Sequence, residues 1–201
     1  MILISHRVNK IDDLIKTPKK YGVEIDIRSW VNKLIVHHDP FNEGEEFNEW
    51  IKFYDHSFLI LNVKEEGLEE KIIEILNKRN ISDYFFLDQS FPFLIKYIKL
   101  CGGRSALRIS EFESTETAKK MSELANWLWL DSFKIFSISA DALIEMKSLG
   151  YKLCLVSPEL QGREEASEIK NLISFFKVNQ IELDAICTKK PSYWEKLLVH
   201  K

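Results

Sequence analysis

Short apolar runs rich in Val, Ile, Phe and Trp alternate with stretches of helical period along the chain, and this alternation restricts the fold most. Strands are expected near Leu3–Ser5, Val23–Ile27, Phe58–Val63, Tyr84–Leu87, Ala106–Ile109, Leu128–Leu130, Leu153–Val156 and Asp184–Cys187. Helices are expected near Lys10–Lys16, Glu43–Tyr54, Leu68–Lys78, Pro92–Leu100, Thr115–Asn126, Ala140–Leu149 and Arg163–Phe176, with a last one after Pro191. Phe47, Trp50, Ile51 and Tyr54 fall at i, i+3, i+4 and i+7, one apolar helix face, and Ile169, Leu172, Ile173 and Phe176 repeat the pattern. Ser139 is placed to cap the helix at Ala140, and Gly150 to end it after Leu149. Pro191 suits the first turn of the final helix, where its missing N–H costs nothing.

Eight strand–helix repeats predict an α/β chain closed into a (β/α)₈ TIM barrel. The 201 residues are few for a fold of about 250, so loops should be short and residues 1–201 should form one domain. The apolar run Leu34–His37 is surplus to the eight. It follows the second strand after Ser29-Trp30-Val31-Asn32-Lys33, too short for a parallel crossover, so it must return as a β-hairpin. That return carries His38 back toward Glu24 and Asp26. An open doubly wound sheet would want a Gly-rich phosphate turn after the first strand, and Ser5-His6-Arg7-Val8-Asn9 contains no glycine.

Composition removes several classes of function. A net charge of −3 with no basic run gives no electrostatic footprint for nucleic acid. No stretch approaches the roughly 18 apolar residues of a membrane span. Cys101, Cys154 and Cys187 are odd in number and lack CxxC spacing, which argues against a disulfide framework or zinc knuckle. Reduced thiols and an opening without basic segment, long apolar core and cleavage site lead to a cytoplasmic expectation.

Active sites of such barrels sit at the carboxyl ends of the strands. Those ends read His6/Arg7, Glu24/Asp26, Asn62/Lys64, Asp88/Gln89, Ser110/Glu111, Asp131, Ser157/Glu159 and Thr188/Lys189. Glu24 and Asp26, two apart, face one way, while Val23, Ile25 and Ile27 face the packing shell. In a barrel the carboxylates then point inward near the mouth, and two oxygen ligands there suit a divalent cation such as Mg²⁺ or Ca²⁺. His6 and His38 each end a strand and each precede a charged residue, whereas His37, His56 and His200 lack such surroundings and are read as structural. Arg7 offers a planar, permanently charged fork for a phosphate oxygen. Trp30, Trp127, Trp129, Phe91 and Phe133 lie near the mouth, but aromatics at strand–helix junctions more often pack, and they are left out of the site.

Taken in order, Ser5-His6-Arg7-Val8, Val23-Glu24-Ile25-Asp26-Ile27 and Val36-His37-His38-Asp39-Pro40 resemble the glycerophosphodiester phosphodiesterase family, within the phosphatidylinositol-phospholipase-like barrels. Weaker likeness continues through Leu61-Asn62-Val63-Lys64, Asp88-Gln89-Ser90-Phe91 and Leu183-Asp184-Ala185-Ile186-Cys187-Thr188. The resemblance implies metal-dependent cleavage of a small-molecule or polymeric phosphodiester bearing a neighbouring hydroxyl, by hydrolysis or cyclisation. It implies His6 and His38 as general base and acid, Arg7 and Lys64 as phosphate contacts, and Glu24 and Asp26 as metal ligands. Val8 departs from the family's glycine after His-Arg and should stiffen the backbone. Asn62 stands where the family places a third ligating glutamate, and Glu111 is the expected substitute for the missing charge. After His38-Asp39 no room remains for an inserted cap, so an open pocket is expected. The alternative is a barrel that keeps the phosphate contacts but has lost turnover.

Overall fold

The computed structural model describes residues 1–163 and 165–199; His200 lies outside the described residues. Ten strands form one sheet: β1 (Ile2–Ser5), β2 (Gly22–Trp30), β3 (Lys33–Val36), β4 (Glu45–Glu46), β5 (Leu59–Val63), β6 (Tyr84–Leu87), β7 (Gly103–Ile109), β8 (Ala125–Leu130), β9 (Lys152–Val156) and β10 (Ala185–Thr188). Its order is β1-β10-β9-β8-β7-β6-β5-β2-β3-β4, and an added β1–β2 pairing closes eight of the strands into a parallel barrel. The helices are α1 (Ile11–Lys16), α2 (Phe47–Trp50), α3 (Glu69–Lys78), α4 (Phe91–Cys101), α5 (Thr115–Met121), α6 (Ala140–Ser148), α7 (Glu165–Val178) and α8 (Pro191–Val199). Each follows a barrel strand, α2 after the β3–β4 excursion, as expected of a (β/α)₈ barrel.

Strand alternation sorts the side chains into two shells. Val23, Ile25, Leu59, Leu61, Leu128, Leu130, Leu153 and Leu155 face outward and pack in the layer between strands and helices. Ile4, Ile60, Phe85, Leu87, Trp127, Trp129, Cys154 and Cys187 face inward and fill the barrel. Trp127 and Trp129 are therefore core residues, not pocket walls. Each fully buried side chain of this size contributes about 1.5–3 kcal/mol. Gly22 begins β2 at a close approach in the barrel wall: a Cβ there would lie 2.4 Å from Ile4 Cδ1 and 2.9 Å from the Phe58 carbonyl oxygen.

Two expected helices are shorter than their periodicity suggests. The stretch Glu43–Tyr54 yields α2 and a 3₁₀ turn over Ile51–Phe53, because Glu45 and Glu46 pair antiparallel with Val36 and Ile35. The Phe47, Trp50 and Ile51 face is nevertheless buried as predicted. Thr115–Asn126 stops as a helix at Met121, because Ala125 already pairs with Gly103 in the barrel. The Ser139 cap forms, its Oγ accepting from the Ala142 N–H at 3.2 Å, and Gly150 takes a left-handed φ of 90°.

Candidate active site

β1 delivers His6 to the rim, where its N–H donates to the Thr188 carbonyl of β10 at 3.0 Å. The chain then turns through Arg7, whose φ of 54° lies in the left-handed region. That turn aims two successive amides at β2: Arg7 N donates to Glu24 Oε2 at 2.7 Å, and Val8 N to the Glu24 carbonyl at 2.8 Å. The positive φ thus falls on Arg7, so the stiffness expected at Val8 is not tested by this turn. Val8 is buried in the outer core, and its carbonyl accepts the Trp50 indole N–H at 3.1 Å.

Glu24 and Asp26 face the barrel interior and are each 1% exposed. Carboxylates so buried persist only if partnered. Glu24 Oε1 accepts from Asn62 Nδ2 at 3.0 Å, and the His6 Nε2 lies 3.7 Å from Oε2. Asn9 brackets Asp26, its Nδ2 donating to Oδ2 at 2.8 Å while its Oδ1 accepts the Asp26 N–H at 3.0 Å. Arg7 Nε stands 3.5 Å from Asp26 Oδ2, and Lys64 Nζ 3.3 Å from Oδ1. Two acids and two cations are therefore interleaved at one rim. Burial, with the Asp26 charge beside it, pushes the Glu24 carboxyl above its usual range. Burial, reinforced by the Arg7 charge, lowers the His6 imidazole to about 4, leaving it neutral at pH 7.

The hairpin brings His38 to the same rim. β3 runs antiparallel to β2 with Val36 opposite Ile27, and His37 N donates to the Asp26 carbonyl at 3.0 Å. The Arg28 Nε holds the His38 carbonyl at 2.9 Å. His38 Nδ1 lies 2.7 Å from Asp39 Oδ1, a carboxylate beside the imidazole. Arg7, Asn9, His38, Asp39 and Glu43 line an open cavity of about 620 Å³. His37 bonds the Asp39 backbone in its own loop and also lines this cavity, and the partly buried His56 bonds the Thr17 carbonyl.

Whether these residues suit a cation depends on the oxygens that accept no hydrogen bond, although Lys64 is ion-paired to one of them, Asp26 Oδ1. Asp26 Oδ1 and Asn62 Oδ1 are buried without a hydrogen-bond partner, and Asp26 and Asn62 sit opposite one another on β2 and β5. With Glu24 one pair deeper they offer the hard oxygen donors a small divalent ion prefers. Among the described residues no group of three His, Cys, Asp or Glu converges on one point, so the Asn62 amide oxygen would have to complete the set. The residues fit such an ion with one fewer negative charge than three carboxylates would supply.

Glu111 is not free to supply that charge. Its carboxylate accepts three backbone N–H groups, from Phe133, Lys134 and Ile135, at 2.8–3.0 Å. Partial burial would raise this carboxyl, but the amides of Ile135, Lys134 and Phe133 outweigh it and hold it at about 2. Glu111 thus clamps the loop after β8, and these hydrogen bonds go to that loop, not to Glu24, Asp26 or Asn62.

Sequence reasoning also missed groups the fold brings in. Asn9, which carries the Asp26 clamp, is a lone asparagine with no periodic signal. Arg108 lies inside a stretch read only as a strand, yet it faces the barrel mouth and bridges Asp88 and Asp131. Gln161 Nε2 completes the far side, donating to Asp131 at 2.9 Å. Asp88 also lies 3.8 Å from Lys64, so a ladder of alternating charge runs Asp26–Lys64–Asp88–Arg108–Asp131 across the mouth.

No family model matches the chain, and no curated protein matches it in sequence. Solved structures do. A protein of Agrobacterium tumefaciens assigned as a glycerophosphoryl diester phosphodiesterase aligns with a TM-score of 0.71 at 12% identity, over 100% of this chain and 98% of its own. A glycerophosphodiester phosphodiesterase of the same organism gives 0.68 at 12% identity, over 98% and 99%. A glycerophosphoryl diester phosphodiesterase of Parabacteroides distasonis gives 0.66 at 10% identity, over 99% and 86%. At such identity the likeness is one of fold: this chain folds, over its whole length, as the solved glycerophosphodiester phosphodiesterases do.

Proposed function

We propose that the protein cleaves a phosphodiester of the glycerophosphodiester kind, with His6 and His38 as the proton-transfer pair. The observation that carries this reading is the rim around Asp26, where Arg7 and Lys64 flank one carboxylate, His6 stands 3.7 Å from the neighbouring Glu24, and His38 lines the same cavity as Arg7. Arg7 and Lys64 supply the fork and the point charge that hold phosphoryl oxygens. One imidazole takes the proton of a neighbouring hydroxyl as that oxygen attacks phosphorus, and the other returns a proton to the departing alkoxide. His6 suits the base role because it is neutral, and His38 the acid role because Asp39 orients it at the open side. Glu24, Asp26 and Asn62 would hold a divalent cation such as Mg²⁺ or Ca²⁺, which when bound offsets charge growing on the phosphoryl oxygens. Asn9 keeps Asp26 in place throughout.

A second reading is a barrel that binds phosphate esters without turning them over. It is favoured by one observation, the Asn62 amide donating to Glu24 where a carboxylate would bind metal. A screen of glycerophosphocholine, glycerophosphoethanolamine and bis-p-nitrophenyl phosphate with Mg²⁺, Ca²⁺ and Mn²⁺ separates the two. Turnover in any arm, lost on chelation, supports the diesterase. Tight phosphate-ester binding without turnover under every metal supports the binding barrel.

Among the described residues no helix is long and apolar enough to cross a membrane, and the substrate is read as a small molecule or a polymer reached through the uncapped mouth. A cytoplasmic location remains part of the same proposal.

A further inference from the structure

A second cavity opens beyond Lys64, on the side of the mouth away from His38. It measures about 530 Å³, within the range of about 300–1,000 Å³ found for ligand clefts. Asp88, Arg108, Phe112, Glu113, Phe91 and Ser114 line it. Asp88 joins it to the phosphate side, since this carboxylate touches both Lys64 and Arg108. A phosphodiester seated on Arg7 and Lys64 therefore has a cleft for each of its two arms.

We infer that this second cleft takes a polyhydroxylated, saccharide-type alcohol arm. Phe112 and Phe91, 70% and 52% exposed, present ring surface at the cleft. Around those rings stand acceptors and donors at fixed positions. The Glu113 carboxylate is tethered by the Ser110 hydroxyl at 2.6 Å, with Arg108 Nε 3.9 Å from its other oxygen. Asp88 and Asp131 hold the Arg108 guanidinium from two sides. Apolar ring faces beside carboxylates and a guanidinium match a sugar, whose C–H face packs on aromatics while vicinal hydroxyls bond charged groups.

The same residues disfavour the other common arms. An acyl chain would strip water from Asp88, Arg108 and Glu113 without returning a hydrogen bond. A quaternary ammonium arm would instead meet like charge, the Arg108 guanidinium in the cleft lining and Lys134 at 6.0 Å from the Phe112 ring.

This inference rests on the phosphodiester reading for the position of the phosphate, so its test is one of binding and not of turnover. Calorimetry of the full chain with glucose 1-phosphate, glycerol 3-phosphate and phosphocholine reads the arm preference directly. Glucose 1-phosphate should bind at least about tenfold more tightly than either of the others, the value of one well-made set of hydrogen bonds and a ring contact. Phe112→Ala and Glu113→Gln should each shrink that ratio below about threefold, while Phe41→Ala, an exposed ring outside both clefts, should keep it. Equal binding, no binding of any of the three, a preference for phosphocholine, or a ratio untouched by Phe112→Ala and Glu113→Gln overturns the inference. Failure of the catalytic reading leaves a different mark: no diester is cleaved, yet the glucose 1-phosphate preference persists.

Discussion

Lys64 Nζ lies 3.3 Å from Asp26 Oδ1 across the seam between β2 and β5, joining a carboxylate 1% exposed to a lysine side chain 18% exposed. The pair places a positive charge beside a buried acid at the barrel mouth. Breaking one partner of such a pair leaves a buried charge uncompensated.

Lys64→Met should therefore destabilise the fold by about 2 kcal/mol, less than the full cost of a broken buried pair because Arg7 and Asn9 still serve Asp26. Adding Asp26→Asn should recover part of that loss, a coupling read from urea midpoints of the two single variants and the double. Strict additivity would show that the pair does not interact.

Asn62→Glu should raise affinity for Mg²⁺ or Ca²⁺ by at least about tenfold, since it supplies the carboxylate missing beside Glu24 and Asp26. Glu24→Gln should abolish detectable binding. Titration calorimetry of the folded protein checks both, and a cation affinity indifferent to Asn62 would place the ion elsewhere.

Glu111→Gln should leave cation affinity unchanged and alter acid stability instead. The Glu111 carboxyl is held at about 2 in the fold, below its unfolded value of about 4.3, so its contribution is present above the unfolded value. It is lost as pH falls from roughly 4.5 toward 2. Urea midpoints across that window should therefore decline less steeply in Glu111→Gln than in the parent chain. Parallel curves would detach Glu111 from the loop clamp.

Gly22→Ala tests how tightly the barrel closes. The new methyl would meet Ile4 Cδ1 at 2.4 Å and a Phe58 backbone oxygen at 2.9 Å, an overpacking cost of about 2 kcal/mol. Ile4→Val in the same chain should return only part of it, because the backbone oxygen cannot retreat as a side chain can. Denaturant midpoints decide.

The barrel and the rim were legible because both rest on local patterns. Val23, Ile25 and Ile27 alternate with Glu24 and Asp26, and the alternation alone sends the carboxylates inward. The hairpin was legible from its short turn, and its pairing of Val36 with Ile27 sets the His37 N–H on the Asp26 carbonyl and brings His38 to the cavity that Arg7 lines. What stayed hidden depends on partners distant in sequence. Glu45 and Glu46 read as helix because nothing in their own composition announces pairing with β3. Glu111 read as a free strand-end acid because its three amides come from residues more than twenty positions later. Arg108 looked like strand filler until Asp88 and Asp131 arrived from neighbouring strands. Asn9 gave no signal, since one amide side chain can serve any turn.

The central claim is that His6 and His38 form one proton-transfer pair at this rim. The direct measurement is kcat/KM on the best glycerophosphodiester for the parent chain, His6→Ala, His38→Ala and the double variant. Each single variant should lose about 10²–10⁴-fold, and the double should lose little more, because residues that act as a unit fail together. A His38→Ala enzyme with the parent rate, or losses that multiply in the double, would contradict the account.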